Sequence, residues 1–200
     1  MKNNLPIEFF GHVLIRDKKT KEILVDKFNS INLENMSIAL AYSMADMSTG
    51  HIQSMVFGNG GTIVSAVGTI TYLPPNVTTN AALYNQTYSK VVNNQSPLDT
   101  NSAENYITIN HTPGTLYSDI QVVCTLDFNE PSGQSAFDNS PVADGNVLNV
   151  NGTYIFDEIG LVTYNQLGNG SLLSHVIFHP VQKALNRSIE IIYTIRLILS

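Results

Sequence analysis

Ser118-Asp119-Ile120-Gln121-Val122-Val123-Cys124-Thr125-Leu126-Asp127-Phe128 alternates along its length. Ile120, Val122, Cys124, Leu126 and Phe128 fall on one face, and Asp119, Gln121, Val123, Thr125 and Asp127 on the other, the period-two pattern of a half-buried antiparallel strand. The C-terminus repeats it: Ile189, Ile191, Tyr193, Ile195, Leu197 and Leu199 share one side of a run that would span on the order of 35 Å as a strand. So long an apolar face must be covered. Tyr154–Tyr164 and Leu172–Phe178 are further strand candidates. Cys124 is the single cysteine, so it has no internal disulfide partner, and its place in the apolar pattern reads as a small core hydrophobe.

Upstream, Ile7–Arg16 and Glu22–Phe28 flank the charged turn Asp17-Lys18-Lys19-Thr20-Lys21, which predicts an opening hairpin over residues 1–28. The period then changes. Leu33, Met36, Leu40, Met44 and Met47 recur three or four residues apart, predicting a helix over 32–47 capped by Ser30 or Asn32 and ended by Gly50. Its methionine stripe is expected to pack on a sheet, the alternative being a pliable contact surface. Ile52–Phe57 reads as a strand running into Gly58-Asn59-Gly60-Gly61, where the chain is expected to use φ values closed to other residues or to pass close to a neighbour. Thr69–Leu73 is a strand stopped by Pro74-Pro75, and 74–117 and 129–149 read as extended loops with one short helix around 81–92. No 20–50-residue repeat is visible. The expected fold is a single mainly β domain (all-β or α+β): an antiparallel β-sandwich with one early α-helix and long loops.

Composition narrows function. Charged residues make up 13% of the chain, about half the roughly 25% usual for soluble domains, and 22 Asn with many Ser and Thr take their place. Residues 1–27 carry a net +2 and residues 183–200 another +2, while 28–182 carry −10 with Lys90 as their one cation. A nucleic-acid groove needs clustered Lys and Arg, so none is expected through the body. No apolar run approaches 18 residues and the N-terminus lacks a signal-like apolar stretch, so neither a membrane span nor secretion is expected. The eight Asn-X-Ser/Thr triplets are then a by-product of composition. Basic ends on an acidic body could help neighbouring copies dock end to body.

Motifs for chemistry are weak. His175 and His179 form an H-x-x-x-H pair, but on a strand they would stand about 13 Å apart, too far for one metal. Gly58-Asn59-Gly60-Gly61-Thr62 lacks the following helix and the Lys of a phosphate loop. Asp138-Asn139-Ser140 with Asp144-Gly145-Asn146 is oxygen-rich without EF-hand spacing. Asp157 and Glu158, adjacent in a strand, are expected to point to opposite faces and not to form a facing acid–base pair. There is no G-x-S-x-G. No catalytic residue, metal or cofactor is predicted.

Three segments carry a resemblance: Met55-Val56-Phe57-Gly58-Asn59-Gly60-Gly61-Thr62, Phe156-Asp157-Glu158-Ile159-Gly160-Leu161, and Leu173-Ser174-His175-Val176-Ile177-Phe178-His179-Pro180 together with Ile189–Ile195. In local motif and style they resemble virion structural proteins of tailed bacteriophages. That resemblance implies a small β-sandwich working as rings of identical copies in the neck, tail or baseplate, or as a capsid decoration protein, with no catalytic residues. It also implies a virion location and partners that are copies of the chain and other virion proteins. Low charge agrees, since Asn, Ser and Thr hydrogen-bond across a contact without the desolvation cost of buried ions. Candidate contact residues are the basic Lys18, Lys19, Lys21, Arg187 and Arg196 near the ends and Met44 and Met47 on the helix, with the opening hairpin and closing strand as exposed edges. The alternative from another class is a carbohydrate-binding adsorption module using Tyr84, Tyr88 or Tyr117, disfavoured by the absence of Trp.

Overall fold

The runs of β-branched and aromatic residues fold as strands wherever one face can be buried. The computed structural model describes residues 6–131, 153–165 and 170–199. In chain order these form β1 (Ile7–Asp17), β2 (Ile23–Ile31), α1 (Leu33–Met44), β3 (Ile52–Gly58), β4 (Thr62–Val64), β5 (Ile70–Tyr72), β6 (Gln86–Val91), β7 (Tyr106–His111), β8 (Tyr117–Leu126), β9 (Thr153–Thr163), β10 (Leu172–Ala184) and β11 (Ile189–Leu199). Nine strands make one antiparallel sheet in the order β6-β3-β9-β10-β2-β1-β11-β8-β7, and β4 and β5 make a separate hairpin. The fold is mainly β with one helix, as expected.

The two layers come from a single curled sheet. β2 pairs with β1 from Ile23 to Asn29, then with β10 only at Ser30 and Ile31, so it passes from one half to the other. The halves close on one core, in which Val122, Cys124, Leu126, Ile191, Tyr193 and Ile195 meet Met55, Phe57, Phe156, Leu161 and Phe178. Each such side chain contributes about 1.5–3 kcal/mol by leaving water. Cys124 is fully buried, and burial pushes its thiol up to about 12. The curl brings the edges back together: Lys90 Nζ on β6 donates to Thr125 O at the end of β8 (2.7 Å), and Ile107 N on β7 donates to Asn94 Oδ1 beyond β6 (3.3 Å).

Several expectations need correction. The span 74–117 holds two strands, β6 and β7, and where a helix was expected around 81–92 there is β6. These two strands are the sheet edges, while β1 and β11 lie inside it, so neither the opening hairpin nor the closing strand is an edge. β10 runs on through Pro180 to Ala184, its register slipping between Ile177 and Val181, the kind of irregularity where a strand tolerates proline. The helix, capped by the Asn32 side chain accepting from Asn35 N, stops at Met44. Met36 and Ala39 are buried and Leu40 half-buried, but Leu33, Met44 and Met47 are exposed, so the stripe is core only at its centre. The loop 129–149, with the oxygen-rich Asp138–Asn146 segment, lies outside the described residues beyond Pro131.

Candidate functional site

A buried group of titratable side chains forms where β9 meets the segment leaving β3. Glu158 is fully buried and accepts four hydrogen bonds: from the amides of Gly60 (3.0 Å), Asn85 (2.8 Å) and Tyr84 (2.9 Å), and from His175 Nε2 (2.9 Å). That fills the lone-pair directions of a carboxylate. His175, also fully buried, accepts from Asn76 N at Nδ1 (2.8 Å), so the ring proton sits on Nε2 and is the one given to Glu158. Asp157 accepts from Gly61 N (2.9 Å), Thr62 N (2.8 Å) and the Thr62 hydroxyl.

The two carboxylates therefore reach one and the same segment. Glu158 takes Gly60 and Asp157 takes Gly61 and Thr62, so the two carboxylates bind successive residues and form no facing pair, beside a slip in the β9–β10 register. Burial opposes ionisation of Glu158, yet the bonds from His175, Asn85, Tyr84 and Gly60 outweigh it and hold its pKa below the usual carboxylate range. For Asp157 burial wins, aided by the charge of Glu158, and pushes the carboxyl up to about 6 against its donors from Thr62 and Gly61.

The glycines of this segment serve close approach. Of the two expectations for this segment, unusual φ or close passage, Gly58, Gly60 and Gly61 meet the second, since none has a left-handed φ. Instead a Cβ on Gly60 would lie 2.7 Å from Asn85 N, and one on Gly61 would lie 2.9 Å from the Ile177 side chain. Chemically the group is a clasp. Asp157, Glu158 and His175 Nδ1 hold residues 60–62, 76 and 84–85 against the sheet, and His175 Nε2 ties the ring to Glu158.

The other residues singled out in the sequence separate. His179 is exposed and its Nδ1 lies 3.2 Å from the Tyr72 hydroxyl, whereas His175 is sealed, so the two do not share a site. Among the described residues no group of three or more His, Cys, Asp or Glu is placed to hold a metal ion, and no helix is long and apolar enough to cross a membrane. Lys18 pairs with Glu104, Arg187 with Asp17 (2.7 Å), and Arg196 forks onto Asp119 (2.7 and 2.8 Å) while covering the Tyr117 ring at 4.3 Å. Of the five basic contact candidates, Lys19 and Lys21 alone make no ion pair among the described residues. The Tyr88 ring packs on Phe57, and the Tyr84 hydroxyl donates to Pro74 O (2.8 Å).

Two features carry no local sequence signal. Lys183 is fully buried on β10, donating to the carbonyls of Asp127 and Ala184 (2.9 Å each), and burial lowers its amine to about 8. At the end of the sheet marked by Ile52, Leu197 and Ile109, a half-open cleft of about 790 Å³ lies between α1, the 93–98 turn and β7. Phe9, Leu40, Ile52, Ile107, Ile109 and Leu197 line it, and among the described residues no Lys, Arg, Asp or Glu does. Only the fold brings these side chains together.

Set beside protein-family models, curated proteins and solved structures, the chain matches none of them.

Proposed function

We propose that this chain is a non-enzymatic structural subunit of a tailed-bacteriophage particle, assembling with copies of itself and with other virion proteins in the neck, tail or baseplate. One observation carries the reading. The Asp157–Glu158–His175 group is spent inside the fold as a clasp, while apolar surface stands open at the cleft and at Leu98, Ile109 and Leu116, each more than 60% exposed. Exposed apolar patches of this kind mark contact surfaces. The resemblance of Met55–Thr62, Phe156–Leu161 and Leu173–Pro180 to virion proteins supplies the particle.

Electron microscopy of particles made without the gene product, with immunogold labelling of normal ones, tests it. A missing or truncated neck, tail or baseplate part is expected. A missing surface knob would instead make the chain a decoration protein, and unlabelled, complete particles would overturn the proposal.

A further inference from the structure

Between β5 and β6 the chain runs as an irregular strap, residues 73–85. It crosses the side of the sheet turned away from the main core, where its Ala81 and Leu83 pack on Val56, Val162 and Leu172 of β3, β9 and β10. Leu83 is its one buried residue. No Lys, Arg, Asp or Glu occurs in it, so apart from the Tyr84 phenol every titratable group that holds it belongs to the body. Its ends are tied by Leu73 N donating to Gly61 O (2.9 Å) and by Glu158, which takes the Tyr84 and Asn85 amides. Between them the grip rests on single bonds: Asn32 Nδ2 to Thr78 O (2.7 Å), the Thr79 hydroxyl to Glu34 (2.6 Å) and Asn76 N to His175 Nδ1 (2.8 Å). A segment so shallowly buried and singly bonded opens at a cost well below that of the whole fold.

A proton affects the Asn76 bond unlike the others. His175 is fully buried and gives its Nε2 proton to Glu158, which leaves Nδ1 as a pure acceptor for Asn76 N. An imidazolium donates from both nitrogens and accepts at neither. A second proton therefore sets Nδ1–H against the Asn76 N–H across 2.8 Å, and one of the two groups must move. The ring is the fixed one: His175 lies inside the sheet between Ser30 of β2 and Gly160 of β9, and Glu158 holds Nε2. The strap is the movable one. Of the titratable groups around His175, Glu158 bonds the ring and Tyr84 packs on it at 5.8 Å. Asp157, Lys27, Glu34 and His179 are engaged elsewhere, with Thr62, Ile177 O, Thr79 and Tyr72.

We infer that His175 is a proton-operated catch: when its imidazole takes a second proton, the strap lifts off the sheet around Asn76 while its two ends stay tied. Imidazole is the side chain whose unperturbed charge change falls between about pH 5 and 8, and ordinary carboxylates follow only near about pH 4. Asp157, pushed up to about 6, titrates within the same range, but it grips Gly61 and Thr62 and leaves Asn76 untouched. Acid of this strength therefore acts on the middle of the strap through His175. The inference is independent of the virion role. It gives this face of the subunit a closed state at neutral pH and an open one in acid.

The test follows two atoms of the full chain by NMR from about pH 8 to about pH 5. The nitrogen chemical shift of His175 Nδ1 reads the proton, and hydrogen exchange of the Asn76 amide, corrected for its intrinsic rate, reads the catch. Both should change with one midpoint. Asn76 and the Ala81 amide, which closes on Thr78 O (3.0 Å), should lose about tenfold or more of their protection as the hydrogen bond to His175 goes. Tyr84 and Asn85, tied to Glu158, and the β9–β10 ladder should keep theirs. His175→Gln, which keeps a donor for Glu158 but cannot titrate, should hold Asn76 exchange flat across the range; if that variant does not fold, the wild-type comparison decides by itself. Asn76 protection that survives ring protonation, or a ring that takes no proton before the chain unfolds, would overturn the inference. So would a loss that persists in His175→Gln or that spreads equally to β9 and β10.

Discussion

Glu158 shows what a buried charge does when no ligand needs it. Its four donors come from three backbone amides and one imidazole, so removing it strands all of them in a site closed to water. Glu158→Ala is expected to cost about 3–5 kcal/mol, seen as a lower urea midpoint with an unchanged slope, and Glu158→Gln less. Asp157 makes a separate claim about pH. Its folded pKa, raised to about 6 from 3.8, means the folded state holds a proton that the unfolded chain has released. This contribution is full below about pH 4 and is lost as pH rises to about 6. Asp17 acts in the opposite sense, and lower: the Thr20 amide and the Arg187 guanidinium hold it at about 2, so its contribution is lost as pH falls from about 4 toward 2. Melting temperatures measured from pH 4 to 6 should decline more steeply for wild type than for Asp157→Asn. Equal slopes would place the Asp157 carboxyl near its ordinary value. None of this was legible in the sequence, because His175 and Glu158 meet only through the β9–β10 ladder, and Gly60 and Asn85 only where the β3–β6 ladder ends.

Among the elements, legibility followed burial. β11 could be read because alternate residues are buried, Ile189, Ile191, Tyr193 and Ile195, and β8 because its apolar residues alternate in sequence, although Val122–Leu126 are all buried. β6 and β7 have no such signature: the last four residues of β7 are all exposed, and no residue of β6 is buried. A strand at an edge needs only one neighbour, so its sequence is free to look like a loop. The helix erred in the other direction, its period continuing to Met47 after the sheet beneath it had ended. Met36→Ala is therefore expected to cost about 2–5 kcal/mol, whereas Met44→Ala should stay within about 0.5 kcal/mol. Chemical denaturation of the two variants compares them directly, and a large loss for Met44→Ala would move the helix end into the core.

At the scale of the whole molecule, the charge division along the chain turns out to be largely satisfied within it. Arg16 pairs with Glu190, Lys18 with Glu104, Arg187 with Asp17 and Arg196 with Asp119, so the basic ends neutralise acids of their own subunit. Beside Lys19 and Lys21, unpaired among the described residues, the surface left for neighbours includes the exposed apolar side chains of Leu98, Ile109 and Leu116. Raising salt from about 0.1 to 1 M, which shortens the Debye length from roughly 10 to 3 Å, should leave the assembled mass unchanged. Dissociation over that range would assign the contacts to Lys19 and Lys21 or to opened ion pairs. On the proposed reading, the chain works by touching its own copies. Sedimentation equilibrium of the full chain tests this most directly: it predicts a mass above twice the 21.9 kDa of one chain, and a single 21.9 kDa species at every concentration up to roughly 1 mM would contradict it.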